Sequence, residues 1–442
     1  MDVSSEPAPI SAPASWQISS PGSILVVLAL INFLNYVDRF VIAPLVPFLK
    51  KPLEEGGLGL GLDEIGLLAT AFMIVHSLAS IPLGMLADRF LRTRLIAIGV
   101  GVWSLATAAA AFTFSFGQIF LARAAVGIGE ATYAPAASAL LSERFSPNQR
   151  ARALGIFQLG MVLGGAAGVI IGGQVAAEMG WRAAFLVVGI PGLLLAFVAL
   201  AIHERPRAPR VERAVSEVAP PPPALPGTRQ ALIWINVAGI LITFFTGAVM
   251  FWGPEFILRY HYGSNTDALG EVSISFGMVA TLAGVGGVLA GSFLADRLER
   301  RRLGAGRLYA VAIGVFLSAP CAIVGFLARD VTLLYVALGL GVFFNVFYVG
   351  PVLAVLHDVV PPHRRGIATG AYLLLIHLLG DAISPPIVGW IAEANSLRWG
   401  LVGSALVLFL GGIAALFAIP GSRRVAQRKL GSGGSGPAPV LH

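Results

Sequence analysis

Four charged side chains lie within two long apolar stretches of this sequence. Asp38 and Arg39 interrupt ILVVLALINFLNYVDRFVIAPLVPFL, and Arg123 and Glu130 interrupt QIFLARAAVGIGEATYAPAASALL. A charge at the centre of a bilayer costs about 2.5–3.5 kcal/mol on insertion scales, so charges at such depth persist when they are paired. The four charges sum to zero when all are ionised. The group is therefore either a static ion-pair cluster that fixes two helices or a site that titrates or binds charge.

Helix geometry places Asp38 and Arg123 at the same depth in a membrane. If the two stretches are antiparallel helices, Asp38 lies about 21 Å past the start of its helix, while Arg123 and Glu130 lie about 7 and 18 Å below the opposite face. Arg123 and Glu130 are seven residues apart and share one helix face, whereas Asp38 and Arg39 point about 100° apart. We predict that Asp38 pairs with Arg123 or Arg39. Glu130, with apolar neighbours, is predicted to be the better proton acceptor.

A second set of polar residues lies in the C-terminal part of the chain. His377 and Asp381 are four residues apart and therefore share a helix face. They can relay protons or hold a polar headgroup, or they can form a satisfied polar kink before a Pro-Pro pair. Asn345 and Tyr348, in LGLGVFFNVFYVG, either line the wall of an amphipathic cavity or take part in ordinary aromatic packing.

The elements that must position these residues are membrane helices. The 442 residues are 56% hydrophobic and only 12% charged, about half the charge of a soluble protein. Twelve apolar stretches are each long enough to cross about 30 Å as a helix, and they are continuously apolar rather than alternating. They are 24–48, 63–86, 95–114, 118–142, 152–174, 182–202, 230–254, 271–294, 307–328, 331–356, 366–390 and 399–420. The sequence therefore predicts an all-α integral membrane protein with twelve transmembrane helices.

The distribution of charge predicts the orientation and excludes several classes of protein. The net charge is +7, but the basic residues lie in short loops between spans, so they indicate topology and no nucleic acid partner. They place both termini in the cytoplasm of a multi-pass protein. No nucleotide-binding loop and no GxSxG or HExxH signature occurs, so we expect no enzyme, no cofactor and no metal. Cys321 is the single cysteine, which excludes a disulfide framework.

A charged, proline-rich stretch divides the spans into two groups of six. Residues 203–229 read as a cytoplasmic linker. The predicted domains are a cytoplasmic tail over 1–22, an N-terminal six-helix bundle over 23–202, a C-terminal six-helix bundle over 230–420 and a cytoplasmic tail over 421–442. The last of these contains a glycine- and serine-rich stretch that has the composition of a flexible linker.

Short motifs recur at equivalent places in the two groups. LADRFLRTR at 86–94 matches LADRLERRR at 294–302, and each follows the second span of its group. PNQRARALG at 147–155 matches PHRRGIATG at 362–370, and each opens the fifth span. Parallel repeats of this kind predict two pseudo-symmetric six-helix bundles.

The sequence resembles the major facilitator superfamily in this 6+6 organisation and in GMLADRFLRTR at 84–94. Within that superfamily, NYVDR at 35–39 and RAAVGIGEA at 123–131 resemble the Spinster family, which is associated with transport of sphingosine 1-phosphate and lysophospholipids. The resemblance implies a bacterial-type member in the cell membrane. It also implies that Asp38, Arg39 and Glu130 take part in transport.

Charges at the inner ends of the spans are candidates for a gate between the two bundles. The alternative is that they set topology alone. The resemblance implies that Asp88 faces the start of the eleventh span near Gly366, where a helix N-terminus favours an anion. The predicted inner gate consists of Gly84, Asp88, Arg89, Arg92, Glu143, Arg144, Asp296 and Arg297.

The expected activity is secondary active transport of an amphipathic lipid, such as a lysophospholipid or a sphingolipid-like molecule, or of a related organic anion. Alternating access, coupled to protons, is the expected mechanism, and Arg39 and Arg123 are the expected partners of an anionic headgroup. The alternative is an exporter of drugs or small metabolites from the same superfamily. A receptor that transports nothing and an intramembrane enzyme are further alternatives. The expected partners are the substrate, protons and membrane lipids, and we expect a monomer.

Overall fold

The structure is a computed structural model that describes residues 17–89, 91–204 and 225–432. Twelve membrane-crossing helices, numbered α1 to α12 in chain order, make up nearly all of this part of the chain. The first six are α1 (Pro21–Val41), α2 (Leu62–Arg89), α3 (Arg92–Ala110), α4 (Phe116–Ala131 with Tyr133–Arg144), α5 (Pro147–Met179) and α6 (Trp181–Leu200). The last six are α7 (Thr228–His261), α8 (Leu269–Arg301), α9 (Gly306–Leu327), α10 (Val331–Asn345 with Val349–Val359), α11 (Arg365–Ile376 with Ser384–Ala394) and α12 (Leu397–Ser432).

The fourth crossing consists of two helices because a threonine and a proline interrupt it. The other eleven crossings are long and apolar enough to span a membrane as continuous helical segments, with a 3₁₀ turn inside α10 and a π-helical turn inside α11. In α4 the Thr132 hydroxyl donates to the Gly129 carbonyl oxygen at 2.8 Å. Pro135 has no N–H and cannot donate to the carbonyl oxygen of Ala131. The backbone of Thr132 is nevertheless right-handed helical (φ −75°, ψ −27°), so the second helix continues the first. The prediction of twelve transmembrane helices is confirmed.

The helices pack as two equivalent groups of six. In the first group α1 packs on α5, α2 on α4, and α3 on α6. The second group repeats this arrangement, with α7 on α11, α8 on α10, and α9 on α12. Contacts between the groups follow the same symmetry, because α2 packs on α11 and α5 packs on α8. This architecture confirms the two pseudo-symmetric bundles, which are called the N-half and the C-half below.

The domain boundaries stay predictions. Much of the 203–229 linker, the start of the chain to residue 16 and its end from residue 433 lie outside the described residues. α7 begins at Thr228, inside the stretch assigned to the linker. α12 continues to Ser432, past the predicted end of the C-terminal bundle at 420, so the described part of the C-terminal tail is helical.

Close packing between α1 and α5 fixes the position of Asp38 and Arg39. A Cβ atom on Gly164 would lie 2.3 Å from the Phe33 carbonyl oxygen, and one on Gly168 would lie 2.5 Å from that of Val37. Only glycine lets the two backbones approach so closely. Gly164 and Gly168 therefore serve close packing of α5 on the helix that carries the two charged residues.

The two halves are joined at one end of the bundle, where α1 ends and α2 begins. This end is called the closed end. Three hydrogen bonds between described residues connect the halves there, from Lys50 to Glu255, from Leu62 to Glu393 and from Thr70 to Ala382. At the opposite end, called the open end, Cβ atoms on Gly84 and Gly366 would have no described atom within 4 Å.

Candidate functional site

The four charges within the membrane form two ion pairs between α1 and α4. Arg123 Nη1 lies 3.2 Å from Asp38 Oδ1, and Arg39 Nη2 lies 3.0 Å from Glu130 Oε2. The expected ion pair of Asp38 is confirmed, and Arg123 is its partner. Adjacent residues on α1 thus bind residues that are two helical turns apart on α4. This arrangement follows from the roughly 100° between neighbouring side chains of a helix.

A third helix completes the environment of Asp38. The Thr107 hydroxyl of α3 donates to Asp38 Oδ2, the oxygen that does not bind Arg123. Both carboxylate oxygens therefore have a donor. Asp38 and Arg123 are 2% and 1% exposed. A charged pair in such a dry site is stable only when its hydrogen bonds are made, so this pair is well suited to fix α1, α3 and α4 together.

The other ion pair is less completely satisfied. Glu130 is 1% exposed, and its second oxygen, Oε1, is buried without a hydrogen-bond partner among the described residues. The side chain of Arg39 is 13% exposed, the most of the four, and the Nε atoms of both Arg39 and Arg123 are unpaired within the described part of the chain. A carboxylate with one free oxygen beside a partly exposed arginine is the arrangement that can change protonation when its partner moves.

A phenylalanine of α2 separates the two guanidinium groups. The Arg39 Cζ atom lies 5.0 Å from the centre of the Phe72 ring, and the Arg123 Cζ atom lies 5.3 Å from it. Arg39 also lies over Tyr36, at 4.8 Å. A cation over an aromatic face gains about 0.5–2 kcal/mol. Phe72 therefore stabilises both arginines.

The polar residues of the C-half form two smaller groups. His377 Nδ1 lies 2.6 Å from Asp381 Oδ2, as the spacing of four residues predicted. A π-helical turn over His377–Asp381 carries both. The Pro-Pro pair that follows has no N–H groups, which frees the carbonyl oxygens four residues earlier. The hydroxyl of Thr70 on α2 uses one of them, that of Ala382.

On α10, Asn345 is buried and its Nδ2 donates to Thr246 Oγ1 of α7 at 2.8 Å. Tyr348 lies three residues further on and is partly buried. The contacts of Asn345 and of the His377–Asp381 pair therefore lie within the C-half.

The described members of the predicted inner gate bind within their own half. Arg92 Nη1 lies 2.6 Å from Glu143 Oε1 at the open end of the N-half, and Arg144 donates to the carbonyl oxygen of His203. The side chains of Asp88 and Arg89 lie outside the described residues. For Asp296 and Arg297, no ion pair is formed with another described residue. A gate that joins the halves at this end stays a prediction.

Three contributors were not predicted from the sequence. Thr107 and Phe72 stand in apolar spans where neither threonine nor phenylalanine is unusual, so only the packing identifies them. Lys50, assigned to a loop, forms an ion pair with Glu255 of α7. The sequence feature that could have indicated this pair is Glu255, an acidic residue next to Pro254 at the end of the apolar seventh span.

Comparisons of the sequence agree with this architecture. The pattern of the Major Facilitator Superfamily matches residues 28–380 and 302–442. Protein spinster of Drosophila melanogaster is 32% identical over 404 residues, which cover 87% of this chain and 65% of that protein. Protein spinster homolog 1 of Bos taurus is 30% identical over 450 residues, covering 91% and 82%. An MFS-type efflux pump of Mycolicibacterium smegmatis is 28% identical over 402 residues, covering 89% and 90%.

A solved structure has the same fold. It is a bacterial homolog of the human lysosomal transporter Spinster, in an inward-facing and unoccupied conformation. The TM-score is 0.78 at 22% sequence identity, with 94% of this chain and 99% of that chain covered.

Proposed function

Because this chain belongs to the Spinster family of the major facilitator superfamily, it is a transporter of Spinster type, and we propose that it moves an amphipathic lipid by proton-coupled alternating access. The proposed substrate is a lysophospholipid, a sphingolipid-like molecule or a related organic anion. Fold and family are those of transporters and not of enzymes. The substrate and the coupling to protons are the parts of this proposal that experiments must test.

The observation that carries the proposal is the asymmetry of the two ion pairs. Asp38 and Arg123 are dry, and both oxygens of Asp38 are satisfied. Glu130 Oε1 has no hydrogen-bond partner among the described residues, and Arg39 is 13% exposed, whereas the other three side chains are at most 2% exposed. The Nε atoms of Arg39 and Arg123 are both unpaired within the described residues, so the two pairs differ in the carboxylate and in the exposure of the arginine. We assign the first pair to holding the helices and the second pair to transport.

Proton uptake at Glu130 would free Arg39. A proton on Glu130 cancels the charge that attracts the guanidinium, so Arg39 can turn toward an anionic headgroup between the halves. When Arg39 returns to Glu130, the carboxyl group loses its proton, because a nearby arginine favours the ionised form. Binding of the headgroup and binding of the proton are thereby coupled through one side chain.

The C-half is the apolar side of the proposed site. Phe343, Phe344 and Phe347 of α10 form a mutual cluster with ring centroids 5.2–5.6 Å apart, in which Phe347 is 5% exposed and packs against Gly291 of α8. The charged side of the region belongs to the N-half, at Arg39. We propose that the headgroup binds near Arg39, while Arg123 stays paired with Asp38, and that the chain lies against the C-half. His377 and Asp381 would contact the headgroup from the opposite side.

A second candidate is export of a drug or small metabolite. The 28% identity to an MFS-type efflux pump over most of both chains favours it. A compact hydrophobic anion would use the same arginine and the same aromatic surface. It would not require the long apolar contact that an acyl chain makes.

We also propose that both termini are cytoplasmic, in a bacterial inner membrane. The basic loops of the sequence support this orientation. The closed end is then extracellular and the open end cytoplasmic. The structure accordingly represents an inward-open state.

Flux into proteoliposomes tests the proposal. Purified protein is reconstituted, a pH gradient is imposed, and uptake of labelled lysophospholipid is compared with uptake of a small organic anion. The proposal expects lysophospholipid flux that depends on the gradient and that Arg39→Gln removes. Flux of the organic anion alone would favour the exporter, and no gradient-dependent flux of either would contradict proton coupling.

A further inference from the structure

The loop between α1 and α2 is attached firmly to the N-half. Trp181 Nε1 and Arg182 Nη1 of α6 both donate to the Gly56 carbonyl oxygen, at 2.8 and 2.7 Å. Within the loop, the Gly59 N–H donates to the Lys51 carbonyl oxygen at 2.8 Å. Residues 50–61, called the α1–α2 loop, are therefore expected to move with the N-half as one body.

The same loop also bonds to the C-half at both of its ends. At its start, Lys50 forms an ion pair with Glu255 of α7. At its end, the backbone N–H of Leu62, the first residue of α2, donates to Glu393 Oε1 of α11 at 2.6 Å. The carboxylate of Glu393 thus binds a helix N-terminus, where the helix dipole favours a negative charge.

Burial makes the first of these contacts a strong candidate for a latch. Glu255 is 1% exposed and lies between the fully buried side chains of Trp252 and Phe256, whereas Lys50 is 28% exposed. A buried carboxylate without a partner is unfavourable, so the pair stabilises the closed end while it is shut. When the halves separate, water replaces the lost partner, so the pair can also break reversibly.

We propose that the Lys50–Glu255 ion pair and the contact of Glu393 with the start of α2 form a two-part latch that holds the closed end shut. In this account the closed end opens when the α1–α2 loop leaves α7 and α11 and travels with the N-half. The proposal rests on the alternating access of the proposed function but not on its substrate.

The separation of the two halves at the closed end tests the latch without any substrate. Spin labels are placed by Gly117→Cys at the start of α4 and Arg329→Cys before α10, both exposed, in a Cys321→Ser background. Distances between the labels are measured by pulsed electron paramagnetic resonance in lipid nanodiscs. We expect Lys50→Met and Glu255→Gln each to raise the ratio of separated to joined closed ends by more than about tenfold, because loss of a partner from a buried pair costs more than the roughly 1.4 kcal/mol that corresponds to tenfold.

Lys51 provides the matched control. It is the next residue in the loop, and its ammonium lies over the Phe48 ring of its own half, 5.3 Å from the ring centroid. Lys51→Met should change the ratio less than about twofold, as for an exposed charge. The charge exchange Lys50→Glu with Glu255→Lys should restore the parent ratio.

Equal effects of Lys50→Met and Lys51→Met would overturn the latch, as would an exchange variant that stays as separated as the single variants. The exchange variant keeps the test decisive if a single variant fails to fold. Because the readout is a distance, a failed latch is distinguishable from a failed proposal about lipid or protons, which the flux experiment measures separately.

Discussion

Replacing Asp38 with asparagine removes one charge from a pair that the fold buries almost completely. Arg123 Nη1 lies 3.2 Å from Asp38 Oδ1, and the two residues are 1% and 2% exposed. Asparagine has nearly the same volume, and its amide oxygen can still accept the Thr107 hydroxyl, so no cavity forms. The guanidinium of Arg123 loses its counter-ion in a dry site. Breaking a buried pair in this way costs about 3–5 kcal/mol.

Thermal unfolding in detergent, with the folded fraction detected by size-exclusion chromatography, measures this cost. For a unit the size of one half, each kcal/mol corresponds to about 2–4 °C, so Asp38→Asn should lower Tm by roughly 6–20 °C. Adding Arg123→Gln removes the unpaired charge and should recover more than half of that loss. Thr107→Val, which removes one hydrogen bond to a charged group, should cost less, about 1.5–3 kcal/mol.

Glu143 supplies the control, because it pairs with Arg92 at 2.6 Å but is 52% exposed. Glu143→Gln should change stability by about 1 kcal/mol or less. The reasoning is refuted if Glu143→Gln lowers Tm as much as Asp38→Asn does. It is also refuted if the double variant melts no higher than Asp38→Asn alone.

Three further predictions address transport and packing. Glu130→Gln should flatten the dependence of transport on pH while Asp38→Asn alters it less, measured as uptake against pH; the reverse result would exchange the two roles, and an unchanged profile in both would make the cluster structural. Asp88→Asn should favour the inward-open state and reduce net transport without abolishing ligand binding, because an anion at a helix N-terminus contributes about 0.3–2 kcal/mol; unchanged label distances between the halves at the open end would count against it. Gly164→Ala should lower Tm, because its Cβ would lie 2.3 Å from an α1 carbonyl oxygen, an overpacking that costs about 1–3 kcal/mol; Gly155→Ala, which meets nothing within 4 Å, should be neutral or slightly stabilising.

The sequence was sufficient to predict the twelve helices, the two halves and an ion pair between Asp38 and either Arg123 or Arg39. Hydrophobic length determines where a membrane helix lies, because every backbone group must be satisfied within the segment. Depth along two antiparallel helices then places Asp38 opposite Arg123. The partner of Arg39 could not be predicted in this way, because it depends on how α1 is rotated about its own axis against α4. That rotation follows from close contacts such as Gly164 on Phe33.

The hydrogen bonds and ion pairs between the N-half and the C-half could not be predicted from the sequence. Lys50 was counted with the loop charges, and nothing in its neighbourhood distinguishes it from Lys51 until α7 brings Glu255 to it. The hydrogen bond from Leu62 to Glu393 joins residues 331 positions apart. Such pairings depend on how the two halves pack against each other. The pattern of apolar residues within one span carries no information on that packing.

Protons that move together with the lipid are the decisive sign of coupling through Glu130 and Arg39. Proteoliposomes that enclose a pH-sensitive dye receive lysophospholipid on one side, with no gradient imposed at the start. We expect a change of internal pH that follows lysophospholipid addition and that is lost in Glu130→Gln, while exchange of labelled lysophospholipid across the membrane continues in that variant. Lysophospholipid transport by the parent protein without any movement of protons would rule out this coupling.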